Sequence, residues 1–269
     1  MRLRGGPPGG VVAGMFFNPG QIASGLTGIF FPPVCMQCGG LVGHGETPGA
    51  LRHVCAECAA RIEFVREPCC AVCGHPFYGE IADERVCGHC EGLSPVFRRG
   101  RAAVLLKGAS RALVHALKYH RERHALRDIE SIFRRSPRVL ELARGAVLVP
   151  VPLHPRKERE RGYNQAQLVA GCLAGAAGGA AAGVSVEMLL RRVVDTVTQT
   201  SLDRATRRAN LQKAFALAPG ARERIRAARD RGYVLVDDVF TTGSTLNACA
   251  KILRRAGARD IDVVVFGHG

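Results

Sequence analysis

The stretch Tyr233-Val-Leu-Val-Asp237-Asp238-Val239-Phe240-Thr241-Thr242-Gly243-Ser244-Thr245 decides the fold. Its apolar opening, Tyr233–Val236, reads as a strand buried on both faces, the kind a parallel sheet uses. The strand delivers two carboxylates, then a turn of small hydroxyl residues, then a helix over Thr245–Ala256 capped by Gly257. The first N–H groups of such a helix have no partner inside it, and its dipole is positive there, so the turn cradles an anion. Hydroxyls of Thr241, Thr242, Ser244 and Thr245 add donors, and Gly243 lets the main chain approach closely. No lysine precedes the Ser/Thr pair, which excludes a P-loop, and no GxGxxG precedes the helix, which excludes a dinucleotide fingerprint. Ionised carboxylates only accept hydrogen bonds, so Asp237 and Asp238 suit sugar hydroxyls and repel phosphate. The pattern asks for a ribose carrying a 5′-phosphate, with residues Val239, Phe240, Thr241, Thr242, Gly243, Ser244 and Thr245 forming the phosphate loop.

Working outward, the rear of the chain alternates strand and helix. Residues 97–108 read as a short hairpin or extended connector. Ser110–Tyr119 carries an apolar stripe at Leu113, Ala116 and Leu117, and further helices are expected over 122–134, 138–143 and Gln165–Ala177. Ala146–Pro152, Val186–Arg191 and Asp262–Phe266 read as strands, with Gly178–Gly183 a loop and Leu202–Leu211 a basic turn or helix. The expected class is α/β with a largely parallel sheet.

The front is different. Cys35/Cys38, Cys55/Cys58, Cys70/Cys73 and Cys87/Cys90 make four CxxC knuckles in succession. Two knuckles supply the four thiolates that tetrahedral zinc prefers, so four knuckles predict two structural zinc sites. Sequential and interleaved pairing both fit the spacing. Cys69 is spare, His53, His75 and His89 lie near enough to substitute as ligands, and Cys172 and Cys249 sit in apolar helical patterns as packing residues. The organisation expected is a Gly-rich tail and lead-in helix over 1–30, a double zinc ribbon over 31–96, and an α/β domain over 97–269.

The chain has 269 residues, 47% of them hydrophobic, and a formal charge of +15. That length holds a sizeable core, and that composition excludes an intrinsically disordered chain. Eleven cysteines, an odd number, argue against a secreted disulfide scaffold and for the cytoplasm. No uninterrupted apolar run is long enough to span a membrane. The first hundred residues are charge-neutral, and the whole positive excess lies beyond them. Such a field suits a polyanionic partner: nucleic acid, a phosphorylated metabolite or an acidic protein.

The loop stretch resembles the phosphoribosyl-pyrophosphate motif of type I phosphoribosyltransferases. Residues from about 30 to 269 resemble one branch of these, the ComF/GntX-like proteins of bacterial competence and carbon-source use. The knuckles, Leu113-Val-His-Ala-Leu-Lys-Tyr119, Val149-Pro-Val-Pro-Leu-His-Pro155, Arg161-Gly-Tyr-Asn-Gln165, Thr198-Gln-Thr-Ser-Leu202, Arg207, Asn210, Ala214-Phe215 and the loop itself carry the likeness. It implies a type I phosphoribosyltransferase fold behind a double zinc ribbon. Asp237 and Asp238 would hold the ribose 2′ and 3′ hydroxyls at the reaction centre. Leu153, His154, Pro155 and Arg156 would contact pyrophosphate, and Gln199, Arg207 and Asn210 would belong to a lid. Arg161, Asn164 and Gln165 form a signature beside them, and Lys118 and Tyr119 would stand near the acceptor. Mg²⁺ would enter with phosphoribosyl pyrophosphate. Three roles follow from the resemblance: a phosphoribosyltransferase-like protein of natural competence that processes incoming single-stranded DNA, a non-catalytic adaptor to DNA or a DNA-uptake helicase with a vestigial ribose-phosphate pocket, or a nucleotide-salvage transferase of unknown acceptor.

Overall fold

The structure, a computed structural model, describes residues 33–43, 50–77, 79, 85–88, 90–194 and 213–269. The lead-in helix, His89, the basic turn and the lid residues Gln199, Arg207 and Asn210 lie outside the described residues. Val34–Gly269 form one compact unit.

Five strands make a wholly parallel sheet in the order β1-β7-β6-β2-β3: β1 Gly100–Leu105, β2 Val147–Pro150, β3 Ser185–Val186, β6 Tyr233–Phe240 and β7 Ile261–His268. A separate antiparallel pair joins β4 Leu190–Arg192 to β5 Phe215–Leu217. The helices are α1 Ala56–Ala60, α2 Gly108–His115, α3 Ala125–Arg134, α4 Pro137–Ala143, α5 Pro155–Arg161, α6 Gln165–Ala176, α7 Ala221–Ala227 and α8 Ser244–Ala256. Among the described residues, no helix is long and apolar enough to cross a membrane.

The central strands are apolar on both faces because both are covered. Val234, Val236, Val264 and Phe266 point into one core with α2, α3, α4 and α6, while Tyr233, Leu235, Val263 and Val265 point into another with α7 and α8. That alternation is the period-two geometry of a strand. The two ribbons divide between the layers. Cys35, Val42, Leu51, Val54 and Ile62 belong to the first core. Cys70, Cys73, Cys87, Cys90 and Leu93 belong to the second.

Several local expectations need correction. Residues 97–108 form no hairpin; they contain β1, an outer strand parallel to β7. Its exposed edge is covered from far back in the chain, where Leu105 N–H donates to Glu63 O at 2.9 Å and Val65 N–H to Ala103 O at 3.0 Å. An edge left bare would invite pairing with another chain. Val186–Arg191 is not one strand: β3 ends at Val186, and Leu190 begins the antiparallel pair. The strand at Tyr233 does not end before the aspartates but runs on through Phe240. A π-helical turn, Ala116–His120, extends α2 and stops at Arg121 in the left-handed region (φ 57°).

Candidate functional site

β2 and β6 lie side by side, yet their chains leave the sheet toward opposite faces. The chain after β2 goes through α5 and α6 into the first layer, and the chain after β6 goes through α8 into the second. Such a divergence opens a crevice at the carboxyl ends of the strands, where open α/β sheets bind ligands. β2 pairs with β6 only as far as Pro150 opposite Val236. From Asp237 onward β6 has no strand neighbour on that side among the described residues, so both aspartates and the following loop border the crevice.

The two aspartates face different layers. Asp238 is buried, and Lys118 from the π-helical turn reaches it at 2.9 Å. Asp237, one residue earlier on the strand, turns to the other layer, within electrostatic reach of Cys249 of α8 and Arg192 of β4. Burial and the charge of Asp238 push its carboxyl up to about 8, against the opposing pull of the Asp238 N–H (2.9 Å), Lys118 and Arg192. The protonated form of Asp237 is therefore favoured beside the Lys118–Asp238 ion pair.

The loop after β6 has the anion-cradle shape. Gly243 takes φ +69° and stands immediately before α8. A Cβ there would lie 2.5 Å from Phe240 Cζ and 3.0 Å from Leu93 Cδ2, so glycine is required for space as well as for conformation. Ser244 N–H leans on Thr242 Oγ1 (3.4 Å), and Thr242 Oγ1 lies 3.1 Å from Ser244 Oγ. Thr241 and Thr242 are exposed, and Ser244, Thr245 and Val239 are half-buried. Phe240 instead turns its ring into the second core, stacked on His268 at 5.3 Å.

The segment after β2 is more constrained than a surface charge run. Pro155 begins α5, and His154 caps it, accepting from Arg156 N–H at 3.3 Å. Arg156 pairs with Glu160 at 3.2 Å on the exposed side, and Leu153 is half-buried. Asn164 caps α6 by accepting from Ala166 N–H (3.1 Å) and donates to Val151 O (3.0 Å), which pins the chain leaving β2. Gln165 is buried, and its Nε2 has no hydrogen-bond partner among the described residues. Tyr163 donates to Leu117 O at 2.6 Å, Arg121 donates to Glu160 O at 2.6 Å, and Arg161 lies 6.0 Å from the Tyr119 ring centre. These contacts tie the Lys118 turn to the 155–165 segment, so Lys118, Tyr119, Arg161, Asn164 and Gln165 belong to one neighbourhood with Asp238. Lys118 touches the acidic pair itself. Arg192 is the residue missed by sequence reading; its strand follows a turn that the buried pair Leu189–Leu190 disguises as continuous strand.

The cysteines assemble sequentially. Cys35, Cys38, Cys55 and Cys58 bring their sulfurs within 4.8 Å of one another, as do Cys70, Cys73, Cys87 and Cys90. Neither tetrad uses Cys69, His53 or His75, and no cysteine is in a disulfide. Backbone donors already face the sulfurs: Cys87 N–H points at Cys70 Sγ (3.3 Å) and His75 N–H at Cys73 Sγ (3.4 Å). Thiol donors from Cys73 and Cys90 pull Cys70 far down, while the bond to Cys70 holds Cys73 far up. Four thiols this close resist ionising together, and a divalent cation relieves that repulsion, so both tetrads fit structural zinc. The first tetrad is partly exposed at Cys38, and the second is wholly buried.

Residues 26–91 match the double zinc ribbon domain family. The chain is 30% identical over 240 residues to competence protein F of Haemophilus influenzae, covering 87% of this chain and 96% of that protein. It is 29% identical over 240 residues to the DNA utilization protein YhgH of Escherichia coli K12, covering 86% and 95%. It is 24% identical over 236 residues to competence protein ComFC of Bacillus subtilis, covering 83% and 90%.

Proposed function

The chain belongs to the ComF family of competence and DNA-utilization proteins, and from that membership we propose that it is a phosphoribosyl-pyrophosphate-binding, phosphoribosyltransferase-like protein of DNA uptake. The supporting observation is the crevice between β2 and β6, where Asp237, Asp238 and Lys118 meet the Thr241–Thr245 loop. The loop's first-turn N–H groups and hydroxyls take the 5′-phosphate, and the aspartates accept from the ribose hydroxyls. Asp237, carrying a proton at neutral pH, both donates and accepts, so the pair meets a polyanionic ligand with little repulsion. Arg161, Arg156 and the chain leaving β2 stand where the diphosphate end would lie.

Mg²⁺ would enter on the diphosphate and neutralise its charge. Lys118 occupies Asp238, which suits an ion carried mainly by phosphate oxygens and water. Within the crevice the chain's own work is to hold C1 of the ribose exposed to a nucleophile and to stabilise the departing pyrophosphate with fixed donors. The rear's positive field and the DNA-related names of its relatives make incoming single-stranded DNA the associated polyanion. None of the eleven cysteines is in a disulfide, which suits a cytoplasmic site of action.

A second reading is a non-catalytic adaptor. The Lys118–Asp238 contact favours it, because that pair would have to loosen for Asp238 to take a ribose hydroxyl at full strength. Calorimetric titration with phosphoribosyl pyrophosphate and Mg²⁺ tests both. Binding that falls at least about tenfold in Asp237→Asn/Asp238→Asn, a loss of about 1.4 kcal/mol or more, supports the ribose site. Pyrophosphate release with a nucleophile present supports the enzyme, and binding without release supports the adaptor. No affinity at millimolar ligand in zinc-loaded protein overturns the ribose-phosphate reading.

A further inference from the structure

We infer that the second cysteine tetrad is a positioning element of the Thr241–Thr245 loop, so that metal at Cys70, Cys73, Cys87 and Cys90 holds the loop in its anion-binding shape. The ligand assigned to that loop rests on the function proposed above; the mechanical coupling does not.

Two routes lead from the tetrad to Gly243, one from each knuckle. From Cys87/Cys90 the chain exits through Gly92, Leu93 and Ser94, and Asn247 of α8 grips that exit. Asn247 Oδ1 accepts from Val96 N–H at 3.0 Å, and its Nδ2 donates to Leu93 O at 3.2 Å and Ser94 O at 3.3 Å. The same residue's N–H donates to Gly243 O at 2.9 Å, closing the first turn of the helix on the loop glycine. Asn247 is 5% exposed, so each of these groups would be left without water if its partner moved. Leu93 itself lies against Gly243, where a Cβ would meet its Cδ2 at 3.0 Å.

From Cys70/Cys73 the second route begins at His75, whose N–H points at Cys73 Sγ. Its ring packs on His268 at 4.7 Å, with the two Nδ1 atoms 3.3 Å apart. His268 stacks on Phe240, and Phe240 fills the space under Gly243. The glycine is thus held between Leu93 and Phe240, each anchored to a different knuckle of one tetrad. A packed interior transmits displacement of such neighbours instead of absorbing it. Among the described residues the first tetrad shows no such link. Its loop is fastened to α3 in the other layer, where Asp128 accepts from Arg52 N–H (2.7 Å) and His53 N–H (2.8 Å).

Leu93 and Asn247 are therefore positioning residues. The test uses Asn247→Ala and Leu93→Ala in the full chain, with zinc counted by elemental analysis and Asp128→Asn as the comparison. In the two-zinc forms, amide exchange across 240–248 without ligand should speed up about tenfold, a change of about 1.4 kcal/mol in local opening. Affinity for phosphoribosyl pyrophosphate with Mg²⁺ should fall by a similar factor. Leu93→Met should restore both, and Asp128→Asn should change neither. In Cys38→Ser, which keeps only the second tetrad, stripping the remaining zinc should remove the loop's protection. Unchanged exchange in both alanine variants and after zinc removal would overturn the coupling. If the unaltered protein shows the exchange effects yet never binds the sugar phosphate, the brace stands and the ligand assignment fails.

Discussion

The two cysteine tetrads share a sequence plan and differ in almost everything that surrounds them. The first keeps Cys38 exposed and belongs to the core layer of α2, α3 and α6. The second has all four sulfurs buried in the layer of α8, next to the loop that follows the aspartates. Four thiolates and a dication are expected at each, so metal chemistry does not separate them. What separates them is the neighbour each one shapes. The division extends to the aspartates: Asp238 is held by Lys118 from the first layer, and Asp237 lies against the second. One sheet thus carries two half-sites, and only the half facing the second layer is braced by a ribbon.

The largest expected effect comes from removing one ligand of each tetrad. Cys73→Ser should empty the buried site, lower Tm by far more than Cys38→Ser does, and abolish ligand binding. Cys38→Ser should drop the zinc content from two to one and leave binding within about twofold, a fraction of a kcal/mol. Structural zinc contributes on the order of 10 kcal/mol in isolated fingers, but only the second site couples that energy to the crevice. Equal losses of Tm in the two variants, measured with zinc by elemental analysis, would erase the distinction.

Next in size is Gly243→Val. Positive φ strains any side chain there by about 1–3 kcal/mol, and overpacking against Phe240 and Leu93 adds about as much again. The substitution should therefore lower Tm as well as block phosphate. A variant that kept the wild-type Tm and lost only binding would place the glycine's neighbours farther away than Leu93 and Phe240 lie here.

The parts of this arrangement that sequence reveals are the local ones. Tyr233–Val236, the Gly243 turn and α8 follow from periodicity and capping within about two dozen residues, and each CxxC knuckle is complete in four. Which knuckles pair is set by tertiary folding, and spacing alone left it open. β1 resembled half of a hairpin because its true partner, β7, lies at the far end of the chain and its edge cover, Glu63–Val65, lies well before it. The resemblance sets Lys118 near the acceptor, but its contact with Asp238 depends on a π-helical turn that no pattern in Ala116–His120 announces. Leu93 and Asn247 gave no signal at all: each is an ordinary residue in its own segment, and its importance exists only where the two segments meet.

A smaller effect tests the first ribbon's anchor. Asp128→Ala would leave Arg52 N–H and His53 N–H without their carboxylate in a half-buried position, for a loss of about 2–4 kcal/mol. Exchange should quicken over 51–60 and not over 240–248. Asp128→Asn, which keeps one accepting oxygen, should lose roughly half as much. Quickened exchange at the 240–248 loop in either variant would mean that the two ribbons are not independent.

The last comparison separates the aspartates by pH. Asp237 titrates at about 8 in the folded chain, against 3.8 for an ordinary aspartate. The folded state therefore holds a proton that the unfolded state has released across that window, and stability falls as pH rises from about 4 through 8. Burial is the main cause and Asp238 the second, so replacing the carboxyl with a neutral amide removes the penalty at its source. Asp237→Asn should match the wild type near pH 3.5 and exceed it increasingly up to pH 9, by a Tm margin on the order of 3 °C for each kcal/mol relieved. Asp238→Asn should show a different profile. It strips Lys118 of its partner at 2.9 Å, so it loses stability where the wild-type pair is formed, yet it also relieves Asp237 of a neighbouring charge. Its margin should lie below that of Asp237→Asn at every pH measured by thermal melts. Superimposable curves for the two variants would show that the aspartates share one environment, and the division of the crevice between the two layers would fall with them.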